Sequence, residues 1–429
     1  MRAILARCAD RGYAIIPFGG GTSVVGGVEP SDPGRTHITL DLRDLNEVLA
    51  IDEISLVATA EAGILGPDLE HALAANRFTL GHVPQSFEFS TLGGWIAARS
   101  AGSLSNRYGK IEDLVAGLRL VAPAADLDLR ARPRQAMGSD LLSLIVGSEG
   151  TLGVITRATV RVHPDPVARA HASLLFRSFG DGLDALRAMA QGGVPPPMTY
   201  LFDEDESRFM VAASGRGQGA GAKLLRGRGV KLEGASLFLA GFEGTKDAVR
   251  AQKAEVAARC RRSVSVGPGP AERYVEERFE APYLRDSLIE HRTMVDTVET
   301  AALWSSVERL HRGVRDAILN AIAATGVAGH VGCHVSHIYP EGASLYFTFL
   351  ARMAPGEELA QYDAVKAAAT RAILDHGGLL SHHHGIGSEH AGYLREAIGD
   401  AGVRVLRDLK ASLDPKGIMN PGKVFPVGA

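Results

Sequence analysis

The chain has 429 residues, 45% of them hydrophobic and 22% charged, with a formal net charge of −3. That size holds two or three domains with substantial cores, and a near balance of charge without a long basic block excludes nucleic acid as a partner. Cys8, Cys260 and Cys333 show no CxxC spacing and no even count, which excludes a zinc or disulfide framework and points to a reducing compartment.

Met1 to Arg11 reads as the amphipathic second half of a helix, closed by Gly12, with no signal-peptide pattern. A helix without its own start points to missing upstream sequence. Tyr13 to Pro17 is a short strand that runs into a glycine turn. His37 to Asp41 alternates apolar residues, Asp68 to Asn76 is helical and ends before a strand-like Thr79-Leu80, and Val115 to Pro123 and Gly153 to His163 are strands rich in β-branched residues. Pro164-Asp165-Pro166 punctuates the chain, so the boundary between a first domain, 1–165, and a second, 166–429, is placed there.

Beyond it, Ala172 to Arg177 is a strand and Phe179 to Gln191 a helix, followed by the rigid connector Gly193-Val194-Pro195-Pro196-Pro197. Leu237 to Phe242 is a strand and Gly244 to Ala258 a helix. This rhythm predicts an α+β layer, an antiparallel sheet with helices on one face. Gly215 to Gly221 reads as a solvated loop. Trp304 to Ala324 is a long helix, Leu345 to Phe349 a strand, Glu357 to Asp375 a helix, and Ala401 to Leu413 the last one. No stretch reaches the ~20 apolar residues of a membrane-spanning helix.

Three distant segments share one chemistry. Pro17-Phe18-Gly19-Gly20-Gly21-Thr22-Ser23 removes three successive Cβ atoms from a turn, so that backbone N–H groups can approach a phosphate, and adds two hydroxyls. His82 to Ser90 and Gly147-Ser148-Glu149-Gly150-Thr151-Leu152-Gly153 repeat the pattern of small residues and hydroxyls. Such donors suit a dianionic pyrophosphate without lysine point charges. One glycine turn is weak evidence; three segments of this kind describe a cradle for an extended cofactor.

These segments, with Gly93-Gly94-Trp95 and Arg107-Tyr108-Gly109-Lys110-Ile111-Glu112-Asp113-Leu114, resemble the FAD domain of the vanillyl-alcohol oxidase/p-cresol methylhydroxylase (PCMH) superfamily. Within it the chain is similar to the alkyldihydroxyacetonephosphate synthases, flavoenzymes of ether-lipid synthesis. The likeness runs through Asp296-Thr297-Val298-Glu299-Thr300, Trp304 and Gly342-Ala343-Ser344-Leu345-Tyr346-Phe347. It continues into Ser381-His382-His383-His384-Gly385 and Asp414-Pro415-Lys416-Gly417-Ile418-Met419-Asn420-Pro421-Gly422-Lys423, so it covers nearly the whole chain.

The resemblance implies a two-lobed, PCMH-type FAD-binding domain and a larger antiparallel-sheet cap with flanking helices, the C-terminal tail returning to the FAD domain. It implies that Pro17, Phe18, Gly19, Gly20, Gly21, Thr22 and Ser23 cradle FAD together with Gln85, Ser86, Phe87, Glu88, Phe89, Ser90 and Thr91. Ala98, Arg99, Ser100 and Ala101, and Glu149, Gly150, Thr151, Leu152, Gly153, Val154 and Ile155, complete the wall. Some relatives attach FAD covalently through a histidine beside the glycine turn; here Val24 and Val25 follow Ser23, so FAD is expected to be non-covalent.

By the same resemblance Tyr346 is the acid/base, taking a proton from C1 of a dihydroxyacetone unit while flavin works without net redox change. Strand alternation sets Tyr346 and Thr348 opposite Leu345, Phe347 and Phe349, on the less apolar face. An unperturbed tyrosine ionises near ~10, so the role of base asks for positive charge nearby. His382, His383 and His384 are expected to position substrate and tune proton transfer. No metal is assigned to them, because the neighbouring sequence supplies neither HExxH spacing nor an acidic partner. Arg285, in Pro282-Tyr283-Leu284-Arg285-Asp286, matches the substrate-binding arginine, a planar fork suited to phosphate or carboxylate. Glu299 and Trp304 are placed near the site without roles. Two departures bear on phosphate recognition: Ser388-Glu389-His390 stands where the family has basic residues, and Tyr200-Leu201-Phe202-Asp203 lacks the family's arginine.

The rival readings are an FAD-dependent dehydrogenase of a 2-hydroxy acid, whose single histidine usually stands in a Gly-Glu-His-Gly context, and a flavoprotein without activity. The triple histidine and Tyr346 favour the transferase. The expected partners are a small-molecule or lipid substrate, a second copy of the chain in a homodimer, and a membrane surface met peripherally by a cytoplasmic protein.

Overall fold

The computed structural model describes residues 1–213 and 234–426, so the glycine-rich run Gly215 to Gly221 lies outside the described residues. The chain divides into two compact units, Met1–Asp165 with His383–Ala429, and Pro166–His382.

The first unit opens with a helix, Arg2–Arg11, that buries Leu5 and Cys8 and ends at Gly12, whose N–H returns to the Cys8 carbonyl. Strand β1 (Ala14–Phe18) pairs in parallel with β2 (His37–Asp41). The unit's main sheet is five-stranded and antiparallel, in the order β3 (Val48–Asp52), β4 (Val57–Glu61), β8 (Val154–Arg161), β6 (Val115–Val121), β7 (Asp126–Leu129). A small pair, β5 (Phe78–Thr79) with β9 (His163–Pro164), lies beside it in sequence. The helices Gly66–Ala74 and Leu92–Ala98 contribute Leu69, Leu73, Leu92, Trp95 and Ile96 to its core.

The C-terminal segment is stitched onto β1. The Ile15 N–H donates to the Ile418 carbonyl at 2.7 Å and the Asn420 N–H to the Ile15 carbonyl at 2.8 Å. Asp414 holds the turn between them: its buried carboxylate accepts the amides of Ile418 (3.0 Å) and Met419 (2.8 Å) and the ammonium of Lys410 (3.0 Å). The preceding helix, Leu394–Leu413, starts earlier than the sequence pattern predicts, because a non-helical Gly399 interrupts it and hides its first turns from the periodicity.

The second unit is a seven-stranded antiparallel sheet in the order β13 (Ser263–Gly267), β10 (Ala168–Phe176), β12 (Ser236–Gly244), β11 (Met198–Phe202), β15 (Gly329–Val335), β16 (Gly342–Arg352), β14 (Thr293–Leu303). Helices Phe179–Gln191 and Trp304–Ala324 run as the sequence predicts. The second buries Val307, Leu310, Val314, Ile318 and Ile322, a stripe at helical spacing, into the core.

Helices on one face is an expectation the structure corrects. Leu201 packs under Gly182 of the Phe179–Gln191 helix, whereas its neighbour Tyr200 meets Tyr274 of the Gly269–Glu277 helix, ring centroids 4.6 Å apart. Consecutive strand residues point to opposite faces, so both faces are covered. The reason is visible in β11 and β12, whose residues are buried without alternation.

Asp414 predicts a stability loss. Asp414→Ala leaves two amides without their acceptor and the Lys410 ammonium with only the carbonyls of Thr151 and Met419, its counter-charge gone, and is expected to destabilise the first unit by about 3 kcal/mol or more, read as a shifted denaturant midpoint.

Candidate active site

In the first unit the three glycine- and hydroxyl-rich segments come together. A Cβ built on Gly20 would overlap the Phe89 carbonyl oxygen, and one on Gly19 would overlap Thr91 Oγ1. Only glycine lets the turn lie flat against 89–91. A Cβ on Gly150 would stand 3.0 Å from the Pro17 ring, which brings the third segment to the same turn.

The hydroxyls shape these loops as acceptors. Ser23 Oγ accepts the Gly27 N–H at 2.9 Å, Ser90 Oγ accepts the indole N–H of Trp95 at 2.7 Å, and Thr91 Oγ1 caps the Leu92–Ala98 helix through the Gly94 N–H at 3.2 Å. An accepting hydroxyl still carries its own proton, so each can donate to a phosphate. Thr151 is different: its Oγ1 donates to the Ser148 carbonyl at 2.7 Å. Arg99 closes its helix in a left-handed conformation, φ 52°, and donates to the carbonyls of Val146 (2.9 Å) and Ser143 (2.8 Å). Its guanidinium therefore fixes the wall rather than presenting charge.

His82 opens the second segment. It is fully buried, its Nε2 lies 2.7 Å from Ser100 Oγ, and its ring is 5.0 Å from that of Trp95. Burial pushes its pKa down to about 3, which keeps it neutral. His82 Nδ1 and the buried Ser148 Oγ find no partner among the described residues, as a wall built for a polar ligand requires. Glycines pressed to backbone, hydroxyls that keep a proton to donate and polar wall atoms without a partner among the described residues fit FAD.

The segment after the histidine run docks on this cradle. The amides of Ser388 and Glu389 donate to the Val25 carbonyl at 3.0 and 3.3 Å. Gly387 adopts φ 54°, and a Cβ there would overlap that same carbonyl. Glu149 accepts the amides of Ile386 at 2.6 Å and Gly387 at 2.7 Å. Burial pushes its pKa up to about 6, the two amides and Lys423 pulling the other way. The rings of His383 and His384 meet edge to face, 4.5 Å apart.

The second unit holds the phenol. Register sets Glu299 on β14, Tyr346 on β16 and His334 on β15 in one row across the sheet. Tyr346 is half-buried, Leu345, Phe347 and Phe349 being fully buried on the other face. Its hydroxyl donates to Thr297 Oγ1 at 3.2 Å. The sequence asked for positive charge here; the structure supplies the opposite. Burial, then the charges of Asp296, Glu299 and Glu206, push the phenol up to about 12, against the lowering effect of the Thr297 bond.

His382 also belongs to this unit. Its amide donates to both Glu299 oxygens at 2.9 Å, the Ser381 hydroxyl reaches the same carboxylate at 2.7 Å, and His382 Nε2 lies 2.7 Å from Tyr339 Oη. An acidic neighbour thus exists for the histidine run, supplied from far away in sequence. Arg285 lies exposed on a short helix, Leu284–Glu290. Sequence reasoning missed Tyr339, His337, His334 and Glu206; the every-third spacing of His334 and His337 at the end of β15 was the available signal.

Residues 1–127 match the FAD binding domain family, and residues 165–424 the family of FAD linked oxidases, C-terminal domain. The alkyldihydroxyacetonephosphate synthase of Trypanosoma brucei brucei is 37% identical over 99% of this chain and 71% of its own. A solved alkyldihydroxyacetonephosphate synthase structure superposes with a TM-score of 0.83 at 33% identity, over 98% of this chain and 75% of that one. The glycolate oxidase subunit GlcD of Bacillus subtilis is more distant, 26% identical over 98% of this chain and 86% of its own.

Glu149 gives the site a pH signature. Its folded pKa, about 6, stands above the ordinary 4.5, so the folded chain holds the proton more readily than the unfolded one. The resulting stability is complete below about 4.5 and lost as pH rises through about 6. Denaturant midpoints of wild type are expected to fall across that window, and those of Glu149→Gln to lack the fall.

Proposed function

The chain belongs to the FAD-linked oxidase family, beside its alkyldihydroxyacetonephosphate synthases, and from that premise we propose that it exchanges the acyl group of an acyl-dihydroxyacetone phosphate for a fatty alcohol. FAD is the cofactor, held without a covalent bond in this reading, since Val24 and Val25 stand where an attaching histidine would be needed. When bound it supplies an electron-accepting ring that serves the exchange without net redox change.

The glycine turn and the segments 85–91, 98–101 and 149–155 hold that cofactor. Ser23, Ser90 and Thr91 would supply hydroxyl donors to it. Tyr346 takes the proton from C1. That role asks the phenol to lose its own proton first, and acceptors surround it: Thr297 Oγ1 in hydrogen-bond contact, Glu299 and His334 in the same cross-strand row. His382, oriented by Tyr339 and anchored through its amide, positions substrate with His383 and His384, and Arg285 offers a fork to the phosphate. Acyl and alkyl chains partition into bilayers, so the reading extends to a cytosolic homodimer that meets a membrane surface; vesicle flotation and light scattering test those points. No helix among the described residues is long and apolar enough to cross a membrane.

The observation that carries the proposal is the Tyr346 phenol in a row with Glu299, itself bonded to the first residue of the triple histidine. The holoenzyme mixed anaerobically with acyl-dihydroxyacetone phosphate and a fatty alcohol is expected to release fatty acid and leave flavin absorbance unbleached by lactate or glycolate. Bleaching by a 2-hydroxy acid would instead favour a dehydrogenase. Tyr346→Phe is expected to cut exchange at least ~100-fold with the flavin still bound.

A further inference from the structure

His334 stands directly opposite Tyr346 across β15 and β16. The two rings stack, centroids 5.0 Å apart and planes 20° from parallel. His334 Nδ1 lies 3.1 and 3.2 Å from the two oxygens of Glu206. Tyr200 closes on the imidazole at 5.6 Å and Phe202 at 5.4 Å. The helix that carries Glu206 is pressed onto the strand: a Cβ on Gly332 would come within 2.7 Å of Glu206 Cβ. A ring walled by aromatic faces and gripped by a carboxylate has one orientation.

We propose that His334, oriented by Glu206, is the positioning residue for Tyr346: it sets the plane of the phenol and puts a protonatable ring against it where negative charge forms. This deepens the synthase reading and rests on it. The charged and titratable groups around the phenol make the need plain. From β14 come Glu299 and Asp296, the latter paired with Lys366 at 3.4 Å. From the helix Glu204–Ala213 comes Glu206, and from β11 and the helix Gly269–Glu277 come Tyr200 and Tyr274, with Arg278 beside those two. Ionising Tyr346 among three carboxylates is costly. An imidazole stacked on the ring is placed to take up a proton and offset that charge, while its second nitrogen stays on Glu206.

The test separates orientation and charge from packing. His334→Phe keeps a stacked ring and removes the hydrogen bond and the proton; His334→Gln keeps a donor for Glu206 and removes the ring. Fluorotyrosine placed at position 346 brings the phenol titration into an accessible range and reports it by fluorine NMR. His334→Phe is expected to lower kcat for exchange about 10- to 100-fold at unchanged KM and flavin content, and to raise the titration midpoint by about one pH unit or more. Unchanged kcat and midpoint in His334→Phe would overturn the proposal; should that variant fail to fold, the same two readouts in His334→Gln decide it. The titration needs no turnover. A chain that shows the midpoint shift but no exchange retracts the synthase reading and keeps the role of His334, whereas exchange with an unmoved midpoint does the reverse.

Discussion

The first unit is organised around an absent atom. Gly20 has no Cβ, so its backbone lies against the Phe89 carbonyl, and no other residue type permits that approach. The contact joins two segments about seventy residues apart, and the hydroxyls of 90 and 91 are then fixed by Trp95 and by the N-terminus of the Leu92–Ala98 helix. The wall is therefore built by backbone proximity and hydrogen bonding rather than by charge. Even Arg99, the one cation among these residues, is occupied by the carbonyls of Val146 and Ser143. Such a surface suits a ligand recognised by many directed N–H and O–H donors.

In the second unit the governing constraint is electrostatic. A tyrosine on a strand needs only alternation to face a site, and the sequence shows that alternation. What alternation leaves out is which charges surround the phenol. Asp296 and Glu299 are on the neighbouring strand, but Glu206 comes from a helix 140 residues earlier in the chain. Burial first, and these charges after it, favour the protonated phenol. In the proposed reading, a phenol held in this way can act as a base only when its surroundings change.

The difference in legibility follows from the same physics. Helices such as Trp304–Ala324 carry a long apolar period and were readable to the residue. Strands β3, β4, β7, β11, β13, β14 and β15 do not stand out in the sequence: β3, β7 and β13 are short outer strands, β14 buries its residues without regular alternation, and β11 is buried on both faces. The cofactor segments were legible because a glycine run with hydroxyls has few other uses. The partners of Tyr346 and His382 were not, since Tyr339, Glu206 and His334 are ordinary residues until strand register brings them together.

The histidine run shows how a loop is held through its main chain as well as its imidazoles. The chain passes from one unit to the other within it, His382 belonging to the second and His383 to the first. On each side a carboxylate accepts backbone amides: Glu299 takes the His382 N–H, and Glu149 takes those of Ile386 and Gly387. An amide-to-carboxylate bond is charge-assisted and stronger than a neutral one, so it holds the main chain firmly. For Glu149 the arrangement has a cost, because burial resists the charge that the amides reward. The balance at about 6 leaves the carboxylate ionised at neutral pH. There the grip on 386–387 is strongest although folding stability has already been surrendered, a trade of stability for order that is characteristic of residues retained for what they hold in place.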